Sequence, residues 1–554
     1  MTLFSSRKLT PAFTTGALCA LALMLRACFG GIRYLPILDD SIQYINYPTS
    51  LSFSGLIAKE GLFASRPLAG IIDLFVIGPL HGHCLILPVL VISALYGAAA
   101  GILYDLFRRC FGVSPVFAVT FALLPLGCEG TYWLSASSRI ALGLFFCAMA
   151  AHCLDRFTSA GKWRSLIGFI LFLLLSFSLY EQILVVSFTL VCLMGLRFLA
   201  RRERRGWAAL LVLPAAGAYF AFTASFAAQG SLGSRMATVF PTKWEFYRPY
   251  AEDVIRQIGA AFLRGGWRTL AIGFVRGIGM CFSGFGGILF FCAVLILVFL
   301  AAFGIHAADA AERPIPHEHP WAGPLVWGFL LALAPVTPFF ILENPNFTLR
   351  AAVPSFIGVS LLIDAAVRAC LRRPGLCRSA AAVMVGVFLI AGASEVADYQ
   401  AAARYDNDLA ETILQQDEGW NGRIGIFGFS DYPTAQNFAY RGHIAAVCES
   451  EWSLYGKLVA VTGAEQDFTP VPLETDGFCF YHGWNLDAKR LRGFDALYLY
   501  DGGRFIPLTA QPRETGENDF RLLLPDGSLY ADVWEEEDNG DLYGYIRIAP
   551  IPEK

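Results

Sequence analysis

Apolar runs of about 17 to 24 residues recur from residue 11 to residue 394, and a helix rising 1.5 Å per residue needs that length to cross ~30 Å of hydrocarbon. The runs are 11–29, 84–106, 113–128, 138–154, 165–180, 183–200, 207–228, 285–306, 321–341, 351–370 and 379–394. A soluble core cannot cover so many, so the sequence predicts an all-α polytopic membrane protein of about eleven transmembrane helices. Composition agrees. With 56% hydrophobic residues, 16% charged and a mean hydropathy of +0.52, the chain lies outside the soluble range. That excludes a cytosolic enzyme, a disordered scaffold and a nucleic-acid binder. The first run lacks a small-residue cleavage site and contains Arg26, so it is expected to stay as a span.

Positive loops stay cytoplasmic. Arg7 with Lys8, Arg108 with Arg109, Arg156 with Lys162 and Arg164, the cluster Arg201 to Arg205, and Arg368 with Arg372, Arg373 and Arg378 fall on alternate loops. The pattern puts the N-terminus inside and residues 395–554 outside. Two shorter apolar stretches, 67–80 and 269–283, are read as interfacial or re-entrant.

Charge divides the chain at the same place. Residues 1–394 hold 30 Lys/Arg against 17 Asp/Glu, whereas 395–554 hold 12 against 28. The acidic tail opens with the helical spacing of YQAAARYDNDLAETILQQ and continues with the strand-like GRIGIFGF, ALYLYDGGRFIPL, SLYADVWEE and LYGYIRIA. Asn539-Gly540 between the last two is a hairpin turn signal. Two domains follow: 1–394 in the membrane and a small extracytoplasmic α+β domain at 395–554. Of the 14 cysteines, only Cys448 and Cys479 lie in the tail, where a disulfide between them is open. No zinc-type cluster, phosphate loop or nucleophile motif is present, so neither a metal nor a cofactor is expected. His81 and His83 lack nearby carboxylate partners in sequence.

Chemistry is to be sought in the loops of the outer face. Asp39-Asp40 stand in apolar surroundings after Tyr34-Leu35-Pro36-Ile37-Leu38. Burial there raises a carboxyl pKa and readies a general base; equally, Asp caps a following helix. In extended chain, neighbours point to opposite sides, which predicts one base and one supporting carboxylate. Arg66, in Ser65-Arg66-Pro67-Leu68, begins a helix at the membrane surface, where it can meet an anionic headgroup or snorkel. Glu129, Tyr132 and Trp133 could line a sugar cavity or sit as interfacial aromatics. Glu181 lies in a short outer turn. In 229–268, Tyr250, Val254, Ile258 and Phe262 share a helical face, read as a lid on the bilayer or as interfacial packing.

The acidic pair Asp39-Asp40 after a first span, Ser65-Arg66-Pro67-Leu68 after an interfacial stretch, Tyr180-Glu181-Gln182 closing a later span, and a long later outer loop occur in this order. In these features the sequence resembles the GT-C superfamily of integral-membrane glycosyltransferases, and within it the bacterial glucosyltransferases of the GtrII type. The resemblance covers most of 1–394. It implies an inverting glycosyltransferase in a bacterial cytoplasmic membrane, moving a sugar from a polyprenyl-phosphate donor to a cell-envelope glycan or lipid-linked acceptor on the outer face. Asp39 aligns with the base, supported by Asp40. Arg66, Arg350, Arg235, Lys243 and Arg248 are candidate partners of the lipid phosphate, and Tyr180, Glu181 and Trp133 further substrate contacts. One departure is Ser41-Ile42-Gln43, where an aromatic and a basic residue are expected, so donor identity does not carry over. A polysaccharide polymerase or a lipid-linked sugar flippase are the rival classes, the former relying on Arg-rich outer loops, the latter on midplane charges and repeated halves.

Overall fold

The computed structural model describes residues 11–41, 66–81, 83–226, 247–310, 322–342, 347–416, 419–430, 432–434, 443–473, 493–513, 519–538 and 541–548. Two compact units are present. The first comprises 1–34, 47–397 and 436–443, the second 35–46, 398–435 and 444–554. The segment bearing Asp39-Asp40 thus belongs with the C-terminal residues. The helix Pro374–Gln416 starts in the first unit and ends in the second. At 1.5 Å per residue its 43 residues run about 64 Å, so only part of it can lie in hydrocarbon.

The first unit is a helical membrane domain. Among the described residues, eight helices are long and apolar enough to cross a membrane: Ile86–Phe111, Leu134–Ala160, Glu181–Ala200, Arg204–Ala224, Phe285–Ala307, Gly323–Phe340, Leu349–Leu371 and Pro374–Gln416. Pro11–Ala27, Pro67–Leu80 and Trp163–Phe177 are shorter apolar helices. The expected span 113–128 is not one helix. Its helix runs only Val116–Leu123 because Leu124 turns extended (ψ 121°) ahead of Pro125, which has no N–H to continue the ladder. Residues 247–281, read as a lid segment and a re-entrant stretch, form consecutive helical segments that include two wide turns.

The helix Pro11–Ala27 crosses Ile86–Phe111 at close range. A Cβ on Gly101 would stand 2.7 Å from the Ala12 carbonyl oxygen and 3.0 Å from the Gly16 Cα, and one on Gly97 would overlap the Ala20 backbone. Small residues at i and i+4 let two backbones touch, which is how helices pack where lipid gives no hydrophobic drive.

Cross-links at the helix ends define the unit's two ends. Arg109 at the close of Ile86–Phe111 pairs with Asp155 at 2.6 Å. Arg197 donates to the Cys110 carbonyl at 2.8 Å, and Arg368 to that of Gly112 at 3.1 Å. Four long helices therefore finish at one end. Since Ile86–Phe111 and Ile140–Ala160 both finish there, the broken segment between them returns the chain to the other end.

The second unit holds a seven-stranded sheet in the order β2-β1-β3-β4-β5-β6-β7. The strands are β1 Gly422–Phe427, β2 Phe468–Pro472, β3 Ala496–Asp501, β4 Arg504–Pro512, β5 Phe520–Leu523, β6 Leu529–Asp538 and β7 Asp541–Ile548. β1 is parallel to β2 and β3, and the later pairs are antiparallel. Gly502 (φ 55°) and Gly503 (φ 85°) close the β3–β4 hairpin, the two left-handed positions such a turn needs. Asp538 pairs with Asp541 across the expected Asn539-Gly540 turn, whose own residues lie outside the described ones. Leu409, Ala410 and Ile413 of the long helix pack with Leu454, Leu458, Trp420, Ile424 and Ile426 in one core.

Candidate functional site

At the end of the first unit opposite Arg109, Arg197 and Arg368, Arg66, Tyr180 and Glu181 meet in one cluster and Glu129, Trp133 and Arg350 in another. Arg66 precedes Pro67, which starts a short helix, and Glu181 starts the helix Glu181–Ala200. The Arg66 Nε and Nη2 both donate to Glu181, at 2.9 Å each, a planar fork matching a carboxylate. The guanidinium also lies 4.3 Å from the centre of the Tyr180 ring. Arg66, Tyr180 and Glu181 thus form one partly exposed cluster, in which Arg66 is braced by its own carboxylate.

Gln182 connects this cluster to a second. Its Nε2 donates to the carbonyls of Ala351 at 3.0 Å and Pro335 at 2.9 Å. Beside Ala351, Arg350 sits at the start of the apolar helix Leu349–Leu371, with its guanidinium 4.9 Å from the Trp133 ring centre and Nε 3.7 Å from Glu129 Oε1. Glu129 is buried beside the start of that helix. Burial pushes its pKa up, while Arg350 and then His443 pull it back. Trp133 is buried as well, with Tyr132 behind it against Tyr34, whose hydroxyl accepts from the Leu134 N–H at 2.9 Å.

His443 and Glu395, which sequence reasoning passed over, complete this second cluster. Their side chains are 95% and 99% buried and 3.0 Å apart. Glu395 follows directly on the last apolar run, and an acid at that position was the available signal; His443 carried none.

The lid face packs onto the chain that leads to Arg350. The Tyr250 hydroxyl donates to the Phe339 carbonyl at 2.5 Å, Val254 is fully buried, Gln257 Oε1 accepts from the Phe347 N–H at 2.8 Å, and the Phe262 ring lies 5.9 Å from that of Phe347. Arg248 points away, highly exposed and paired with Glu252 one turn on. Lys243 and Arg235 lie outside the described residues, as does Cys479. His81 is buried, which lowers its pKa to about 4, and His83 is exposed. No group of three His, Cys, Asp or Glu that could hold a metal occurs among the described residues.

Asp39 and Asp40 belong to the second unit. Leu38, just before them, adopts φ 38°, which a branched side chain seldom takes and which costs ~1–3 kcal/mol. Asp40 is fully buried, and its Oδ2 accepts from the Ile37 N–H at 3.2 Å, closing the turn on itself. Asp39, half-buried, is the more accessible of the two. The pair is thus divided, one carboxylate holding the loop and the other presented.

Compared with known proteins, the chain matches no family model and no curated sequence.

Proposed function

We propose that this membrane protein is an inverting glycosyltransferase that takes a sugar from a polyprenyl-phosphate donor. The observation that carries the reading is the gathering of Arg66, Tyr180, Glu181, Arg350, Glu129 and Trp133 at one end of an apolar helical unit, away from the end bearing Arg109, Arg197 and Arg368. Cations beside aromatic faces suit a lipid-linked phosphate sugar, because a guanidinium stabilises the leaving phosphate and a ring stacks on the sugar. A donor confined to the membrane plane needs no nucleotide-binding fold.

In this reading the acceptor hydroxyl oxygen attacks the anomeric carbon as its bond to the phosphate oxygen breaks. Asp39 takes the hydroxyl proton, and polyprenyl phosphate is the leaving group. Asp40 supports the loop. The acceptor is a cell-envelope glycan or lipid-linked glycan on the outer face, and 395–554 lies on that side if the shorter Pro11–Ala27 and Trp163–Phe177 helices and the broken 113–128 segment cross beside the eight longer ones. Membranes containing the protein, given radiolabelled polyprenyl-phosphate sugars, should move label from lipid to glycan in excess of membranes lacking it. Label that stays on the lipid across the donor panel argues against the reading.

A further inference from the structure

Lys457 is buried in the C-terminal domain where a lysine ordinarily snorkels to water. It lies on the helix Glu451–Thr462 between Leu454 and Leu458, both fully buried in the domain core, and is itself 2% exposed. The helical face that must bury those leucines carries the ammonium inward with them. Its Nζ lies 3.5 Å from the Pro36 carbonyl oxygen, in the segment that leads into Asp39-Asp40. Desolvation lowers the Lys457 pKa, and two carboxylates, Asp406 and then Asp40, act to restore it. Both are fully buried. Asp406 is fixed by the Val447 N–H, which donates to its Oδ1 at 2.9 Å. All of these residues belong to one compact unit.

We propose that Lys457 is the positioning residue of the acidic loop: its buried ammonium holds the Pro36 carbonyl, with the buried carboxylates of Asp406 and then Asp40 as its counter-charges, so that Asp39 is presented in a fixed conformation. An anchor of this kind explains why the chain keeps a charge in an apolar core and tolerates φ 38° at Leu38, since strained backbone persists only where its surroundings over-determine it. The catalytic part of the proposal rests on the glycosyltransferase reading of Asp39; the anchoring does not.

Hydrogen exchange of the full-length protein in detergent tests the anchoring without any turnover. Lys457→Met should speed exchange in residues 35–41 at least tenfold, while Lys457→Arg should keep most of the protection. Strand β1 serves as the control for domain folding. If Lys457→Met opens β1 too, Asp40→Asn decides, because it leaves Lys457 beside Asp406 and should loosen 35–41 alone. Wild-type exchange in 35–41 for Asp40→Asn, or for a Lys457→Met protein with β1 intact, overturns the anchoring. Turnover is read separately: a Lys457→Met protein with an intact β1 should lose kcat at least tenfold with little change in donor KM. Loosened exchange with normal kcat overturns the link to catalysis and counts against Asp39 as the base, while the anchor stands.

Discussion

Arg350 and Arg66 look alike in sequence, each a cation at the start of a membrane helix, and the structure separates them. Arg66 has a bidentate carboxylate partner, whereas Arg350 stands 3.7 Å from the Glu129 carboxylate and faces an indole. A phosphate approaching Arg66 must compete with Glu181; one approaching Arg350 meets a guanidinium set against the Trp133 indole at the start of a membrane helix. Arg350→Gln should therefore weaken binding of polyprenyl monophosphate about tenfold or more, a charge-assisted hydrogen bond being worth ~1.5–3 kcal/mol. Arg66→Gln should change that affinity less and cost stability instead, on the order of 1 kcal/mol for a half-exposed pair. Equal affinity in wild type and Arg350→Gln, measured by titration in detergent, would leave Arg350 an interfacial cation. Arg66, Glu181, Glu129 and Arg350 stood out in the sequence because ionisable groups beside apolar runs do, whereas His443 did not. The pairings were not legible, since Arg66 and Glu181 are brought together by folding across 115 positions, and His443 meets Glu395 across 48.

Elements show the same division. Long apolar runs announce helices because hydrocarbon leaves the backbone no other partners, and eight of the described helices have the length and composition. Hydropathy averaged along a run is blind to a local break, so 113–128 reads as a span although Pro125 ends its helix. The alternating segments of the tail could be read directly, although ALYLYDGGRFIPL, read as one segment, turns at Gly502-Gly503 into β3 and β4, and the parallel pairing of β1 with β2 and β3 depends on contacts far apart in sequence. Helix packing is equally tertiary. Gly97→Leu must force Pro11–Ala27 and Ile86–Phe111 apart, an overpacking cost of ~1–3 kcal/mol or more. Its thermal unfolding in detergent should begin several degrees below wild type, whereas Gly217→Leu, where a Cβ meets nothing within 4 Å, should match wild type. Unchanged unfolding of Gly97→Leu would contradict the close crossing.

For the whole molecule, Arg109, Arg197 and Arg368 gather at one end of the first unit, the end that the proposed topology assigns to the cytoplasm. The proposed topology then predicts that a reporter active only outside, fused after Lys554, is on; activity of a cytoplasm-only reporter there would reverse the sidedness and the acceptor's location with it. The central claim is chemical, that Asp39 accepts the acceptor's proton. Asp39→Asn preserves size and most hydrogen bonding but removes that capacity, and for a general base the loss is ~10²- to 10⁴-fold in rate. The direct measurement is sugar transfer from a radiolabelled polyprenyl-phosphate donor by purified, reconstituted wild type, Asp39→Asn and Asp40→Asn at matched protein levels. The account predicts transfer by wild type, at least a hundredfold loss in Asp39→Asn and a smaller loss in Asp40→Asn; wild-type turnover in Asp39→Asn would contradict it.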